Sequence, residues 1–307
     1  MLSQQAMHNG ILLIDKPAGI TSAGVVARIK HILQAARVGH AGTLDPDATG
    51  LLVILINGAT RIASYAADGT KVYSGTIKLG VRTSTDDLAG EVLSRSEDIP
   101  SFEQIHECAQ RFIGHIQQVP PKVSAVKVGG KRAHKMQRLG EEFELKAREV
   151  EVSRLELSSL SPDLIGYRME CSPGTYVRSV ARDLGDALGC GAAVATIRRE
   201  RSGVLSVDRA VQITEVSWEL VQDWSVLVPH LPRIELAPAV AAALHNGQRN
   251  SLRALEEAAF MTGLREKPGV VMYGVEGSSD TLGLLRVNPD QSIDFEINLG
   301  LKLGSPT

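Results

Sequence analysis

GHAGTLDPDATGLLVILI, residues 39–56, runs a loop of glycine, threonine and proline into six consecutive apolar residues. An apolar run of that length without alternation reads as a strand buried on both faces. The loop before it poses the chemical question, because segments rich in Gly and Thr often cradle phosphates. The spacing excludes the two common versions. No lysine follows Gly42 or Gly50 as GxxxxGK[ST] requires, and no GxGxxG opens a helix here. On this segment alone Asp45, which precedes a proline, reads as a turn residue whose carboxylate accepts backbone N–H bonds.

Working outward, GILLID (10–15) reads as a short strand and KPAGITS (16–22) as a turn into a helix capped by Thr21 or Ser22. VVARIKHIL continues that helix with apolar residues at helical spacing, and KVYSGTIKLG (71–80) alternates as a half-buried strand does. Residues 101–113 and 174–189 read as helices, 147–157 and 164–171 as strands. Without a regular βαβ beat, this order predicts an α+β fold with a mixed, largely antiparallel central sheet and flanking helices. Pro229, Pro232 and Pro238 in VPHLPRIELAP mark a linker near residue 230. It would separate residues 1–229 from a small β-rich domain, 230–307, built on VVMYGV, LGLLRV and IDFEINL.

A net charge of −2 excludes a uniformly basic coat for nucleic acid but leaves room for a local basic surface. No apolar run approaches the roughly 18 residues that span a bilayer. MLSQQAMHNG lacks a basic start followed by an apolar stretch, so no signal peptide is expected. Cys108, Cys171 and Cys190 are widely spaced, odd in number and without a CxxC pair, which fits a reducing cytoplasm rather than a disulfide framework or a zinc site. The histidines form no HxxxH pair, and no metal is expected.

Five stretches in order alter the reading of Asp45. LLIDKPAGITS (12–22), RVGHAGTLDPDATGLLVILING (37–58), TKVYSGTIKLGVRTSTDDLAGEV (70–92), PPKVSAVKVGGKRAHKMQRLGEE (120–142) and CSPGTYVRSVARDLGDALGCGAAVATIRRERSG (171–203) closely resemble the bacterial TruB-type tRNA pseudouridine synthases. The resemblance runs from residue 10 to about residue 215. It implies a pseudouridine synthase fold with a PUA-like RNA-binding domain at the C-terminus. It also implies isomerisation of uridine 55 in the T arm of tRNA, without a cofactor, by a cytoplasmic monomer that needs neither membrane nor protein partner.

The resemblance puts Asp45 at the catalytic aspartate, Arg178 as its cationic partner and Tyr73 as the ring stacked on the target base. One carboxylate suffices for this chemistry, because the departing uracil is itself the returning nucleophile and no water is activated. A glycoside hydrolase would want two. Asp45 could attack C1′, stabilise an electron-poor sugar, or take a proton from C2′. A guanidinium beside it is expected to hold its pKa down.

The resemblance further implies substrate contacts from His40, Tyr176 and Ile197, with Lys16 in the turn beside the cleft. From Lys122 to Arg138 there are six Lys or Arg and no Asp or Glu. This stretch, read as a hairpin at VGG followed by a helix, coincides with the family's mobile insertion, about 120–148. Lys131 and Arg132 are therefore expected to meet phosphate, as are Arg198 and Arg199 in RRERSG, read as a helix end. Where His134 stands the family often has an aromatic residue.

Two other function classes compete. A binding-only RNA protein would have no need of Asp45, Tyr73 and Arg178 together. A hydrolase would have to recruit Asp47 or Asp86 as its second carboxylate.

Overall fold

GILLIDK and TGLLVILI lie side by side and antiparallel, with Gly10 opposite Ile56 and Lys16 opposite Gly50, in the computed structural model of the chain. It describes residues 9–124, 126–246, 269–278, 281–290 and 292–299, without the side chains of Lys127, Arg132, His134, Lys135, Arg138 and His245. In chain order the first strands are β1 (Gly10–Lys16), β2 (Val38–Ala41), β3 (Thr49–Ile56), β4 (Lys71–Leu79), β5 (Val81–Thr83) and β6 (Val92–Arg95). Then come β7 (Gly114–Gln118), β8 (Lys127–Val128), β9 (Lys131–Arg132), β10 (Arg148–Ser161), β11 (Leu164–Cys171), β12 (Ala192–Ser202) and β13 (Leu205–Ser206). The tail adds β14 (Arg233–Leu236), β15 (Gly269–Val275), β16 (Thr281–Val287) and β17 (Ile293–Asn298). The helices are α1 (Ser22–Leu33), α2 (Ala63–Ala67), α3 (Phe102–Ala109), α4 (Ala133–Arg138), α5 (Val177–Leu188) and α6 (Pro238–His245).

The central sheet runs β1-β3-β12-β4-β11-β10-β7, with β2 added to β3 and β13 to β12. Every pair on that path is antiparallel except β3 with β12, where Arg198 lies opposite Thr49 and Arg199 opposite Gly50. The sheet is therefore mixed and largely antiparallel. Its single parallel step falls beside the loop that carries Asp45.

The apolar runs have no alternation because both faces of that half of the sheet are covered. Leu51, Val53 and Leu55 join Ile11 and Leu13 in one cluster; Leu52, Ile54 and Ile56 join Leu12 and Ile14 in another, under Val25, Ile29 and Leu33 of α1. α1 begins where the sequence places its cap: the Thr21 side chain accepts the Gly24 N–H at 2.9 Å. On the other half of the sheet, α3 and α5 bury Ile105, Val180, Ala181 and Leu184 against β4, β10 and β11.

Two sequence expectations are corrected. RRERSG is no helix end: its first five residues finish strand β12, where Arg198, Arg199 and Glu200 meet partners on neighbouring strands and loops. The linker near 230 is partly a strand. RIEL forms β14, an edge strand parallel to β15 in a sheet ordered β14-β15-β16-β17. The prolines bracket it, since Pro232 supplies a carbonyl to Met272 N–H at 2.8 Å and Pro238 opens α6. This tail sheet also shares a core with the rest of the chain. Met272, Leu284 and Leu299 pack with the fully buried Trp224 in the cluster that holds Leu13 and Leu51.

Candidate active site

The Asp45 loop, between β2 and β3, is pinned from three sides. Ser22, first residue of α1, accepts the Leu44 N–H and donates to the Leu44 carbonyl, each at 2.9 Å. Lys16 donates from Nζ to the carbonyls of Pro17, Ile20 and Pro46 at 2.9, 2.7 and 2.8 Å. Arg199, reaching across from β12, donates to Leu51 and Gly42 carbonyls at 2.8 and 2.9 Å. This explains the glycines. Gly50 has φ +93°, and a Cβ there would stand 2.3 Å from the Arg199 carbonyl oxygen; Gly42, at φ +76°, lies against the Arg199 guanidinium. They admit a strand and its arginine, not a phosphate.

Lys16 and Arg199 are both buried. Lys16 spends its donors on backbone carbonyls around the loop, whereas Arg199 holds the Gly42 and Leu51 carbonyls and also lines the cleft, where it hydrogen-bonds Tyr73. Burial draws the Lys16 pKa down to about 8, against the opposing pull of Asp47 and Asp45. Arg198 points the other way along β12. It grips Asp15 of β1 with two bonds of 2.9 Å and lies 3.6 Å from Glu200, so it closes a charge pair across the sheet instead of offering a free cation to phosphate.

Arg178 stands in the first turn of α5 and is 3% exposed, although a helix-surface position would leave it in water. Its Nε lies 3.0 Å from Asp45 Oδ2. One terminal nitrogen is 3.6 Å from Asp87 Oδ2 and donates to the Thr85 carbonyl at 2.9 Å; the other donates to the Val123 carbonyl at 2.9 Å. All three guanidinium nitrogens are engaged, which fixes the carboxylate facing them.

The expected depression of the Asp45 pKa is not what the site produces. Burial pushes the carboxyl above its ordinary value, Arg178 opposes that, and Asp87 adds a like charge that reinforces it. Yet 42% of the side-chain surface stays open, toward the cleft.

Asp87 is the residue that sequence reading left without a role. TDD offers two adjacent acids and no signal to separate them; only the fold does. Asp86 turns to Arg182 at 2.9 Å, while Asp87 turns to Arg178. Asp86 is committed to Arg182, while Asp47 is exposed at the rim of the depression that Asp45 also lines.

The cleft has a volume of about 350 Å³ and is lined by Asp45, Tyr73, Tyr176, Arg178, Ile197 and Arg199 among others. Tyr73 projects from β4, opposite Arg199 in register, and burial raises its pKa. The Tyr176 ring carries the Arg148 guanidinium at 4.9 Å from its centroid, and Arg148 also donates to the Gly174 carbonyl. A second depression of about 360 Å³ shares Asp45, Arg178 and Ile197 and continues past Asp87 to Leu88.

His40 lies outside the cleft lining, on β2 opposite Ile54. Burial, then Arg199, lowers its pKa, and among the described residues its buried Nδ1 has no hydrogen-bond partner. Lys131, exposed on the β8–β9 hairpin, donates to both Glu141 oxygens at 3.0 and 3.1 Å. The side chains of Arg132, Lys135 and His134 lie outside the described residues. Among the described residues, no group of His, Cys, Asp and Glu could hold a metal ion, and no helix is long and apolar enough to cross a membrane.

A sequence profile described as TruB family pseudouridylate synthase, N-terminal domain, matches residues 30–177. The chain is 42% identical over 249 residues to tRNA pseudouridine synthase B of Cereibacter sphaeroides, covering 78% of this chain and 82% of that one. Against the Thermobifida fusca protein of the same name it is 45% identical over 246 residues, 77% of this chain and 80% of the other. Its fold is also similar to a solved Cbf5-Nop10-Gar1 complex, at TM-score 0.68 and 22% identity over 97% of this chain and 87% of the other.

Proposed function

Because this chain belongs to the TruB family of pseudouridylate synthases, we propose that Asp45 is its catalytic carboxylate, acting on uridine 55 in the T-arm stem-loop of tRNA. The protein is an isomerase that converts uridine to pseudouridine. The observation that carries the assignment of the site is the 3.0 Å contact between Arg178 and Asp45 in a cleft that also holds Tyr73.

The reaction breaks the N1–C1′ bond, turns the uracil and joins C5 to C1′; C5 loses a proton and N1 gains one. Uridine must leave its stack to reach a carboxylate in a cleft. Tyr73 and Ile197 supply the π-face and apolar edge that would hold it. Asp45, ionised and aligned by Arg178, faces the electron-poor C1′, by attack or by charge stabilisation. The tail sheet from residue 230 onward is read as a small PUA-like RNA-binding domain, and the protein as a cytoplasmic monomer. The test is an unmodified tRNA transcript incubated with the protein, with pseudouridine mapped by a carbodiimide-dependent reverse-transcription stop. A stop at position 55 with unchanged RNA mass is expected; loss of a base, or a stop elsewhere, overturns the reading.

Tyr73 separates stacking from proton transfer. Tyr73→Phe keeps the ring, so it should bind RNA normally yet lose turnover through a late proton transfer from C5 or C2′. Tyr73→Leu should also weaken placement of the base. Near-native rates in both variants would return this tyrosine to ordinary packing.

The basic arm is the expected phosphate grip. Neutralising Lys131, Arg132 and Lys135 together should lower the slope of log affinity against log salt by roughly one unit per lost phosphate contact. The rate at saturating RNA should change much less. A titration of labelled T-arm stem-loop at several salt concentrations measures this, and an unchanged slope means the arm is only a solvated face.

A further inference from the structure

A second arginine stands one helical turn beyond Arg178 on α5. Arg182 donates to Asp86 Oδ2, to Asp183 Oδ1 and to the Val119 carbonyl, each at 2.9 Å. Between the two arginines, Ser179 donates to the same Val119 carbonyl at 2.8 Å. Positions four apart share one helix face, and here that face grips two separate segments. One is the loop 83–90: Arg178 holds the Thr85 carbonyl and Arg182 the Asp86 carboxylate. The other is the stretch 119–123, which leads from β7 into the basic arm: Arg178 holds Val123 and Arg182 holds Val119.

Two adjacent acids thus serve two arginines one turn apart. For this Asp86 adopts φ +62°, a conformation that residues with a Cβ seldom take. Its carbonyl also accepts the Val194 N–H at 3.0 Å, and the Leu88 N–H donates to the Val194 carbonyl at 3.0 Å. Asp87 is therefore held between two anchored neighbours, its carboxylate 3.6 Å from Arg178. The Arg182–Asp86 pair is itself largely shielded, at 23% and 15% side-chain exposure, so it is not a screened surface contact.

We propose that Arg182 and Asp86 are positioning residues for the isomerisation: their ion pair sets the 83–90 loop and the root of the basic arm so that Asp87 and the Thr85 carbonyl hold Arg178 in line with Asp45. Neither residue lines the cleft or the depression beside it. The proposal rests on Asp45 and Arg178 being the catalytic pair.

The experiment is a double-mutant cycle on the full chain with unmodified tRNA transcript, reading single-turnover rate at saturating RNA, RNA affinity and Tm. Asp86→Asn and Arg182→Ala should each lower the rate roughly tenfold while affinity stays within about threefold. Arg182→Lys, which keeps a cation opposite Asp86, should recover most of the loss. In the Asp87→Asn background, Arg182→Ala should cost less than about threefold more, because the carboxylate it positions is gone and only the Thr85 carbonyl remains to be placed. The same tenfold loss in both backgrounds, or a fall in Tm with no change in rate, overturns the proposal. Should Arg182→Ala fail to fold, the isosteric Asp86→Asn carries the cycle alone. Asp45→Asn keeps the two readings apart. If that variant is active, the catalytic assignment fails; if it is inactive while the Arg182 losses are additive, only the positioning role fails.

Discussion

Asp45→Asn is expected to bind unmodified tRNA as tightly as the native protein and to isomerise it at least roughly a thousandfold more slowly. The substitution keeps size and hydrogen bonding but removes the charge, so it tests the chemistry alone. A thousandfold is about 4 kcal/mol of transition-state stabilisation at 1.36 kcal/mol per tenfold, in reach of one carboxylate acting on C1′ in a partly dry cleft. Arg178 keeps its carbonyl acceptors Thr85 and Val123 and its neighbour Asp87 in the variant, so the fold around it holds. Appreciable isomerisation by the Asn variant in a single-turnover assay would remove Asp45 from the mechanism.

The same carboxylate predicts the pH dependence of the native enzyme. The ionised form is the active one, and burial raises its pKa, so the rate should climb with pH along a limb lying above the ordinary 3.8. Asp87 pushes in the same direction as burial. Asp87→Asn should therefore move that limb to lower pH even as it weakens the hold on Arg178. A native limb at or below the ordinary value would contradict this account of the site.

Arg178→Lys is expected to lower the single-turnover rate roughly a hundredfold, about 2.7 kcal/mol, with little change in RNA affinity. Lysine keeps a positive charge but offers a point of charge on a flexible stem in place of a planar fork. Arg178 uses three nitrogens at once, on Asp45, on Thr85 and on Val123. An ammonium cannot span those directions, so the carboxylate loses its alignment and two partly buried carbonyls lose donors. If instead affinity falls and the rate at saturating RNA holds, Arg178 is a phosphate contact and its proposed role is wrong.

The local sequence was enough for much of the framework. LLVILI announces a strand covered on both faces because its apolar residues do not alternate, and KVYSGTIKLG announces one covered more on one face because they do. Thr21 marks the start of α1 because its hydroxyl accepts an N–H three residues on, a contact entirely within one turn. Ordered blocks around Asp45, Tyr73 and Arg178 carried the family resemblance. Such features depend on neighbours along the chain, so the chain displays them.

What the tertiary structure decided depends on groups far apart in sequence. Strand alternation at the end of β12 turns Arg199 inward to the Asp45 loop and Arg198 outward to Asp15, a difference that RRERSG does not reveal when its partners are more than 140 positions away. The same holds for TDD, where one acid meets Arg182 and the next meets Arg178. It holds for Asp45 itself. A nearby guanidinium suggested a depressed pKa, but the sign was set by how much water the fold removes and by Asp87 arriving from another loop. Periodicity is a local property of a sequence; desolvation and long-range charge exist only once the chain has closed on itself.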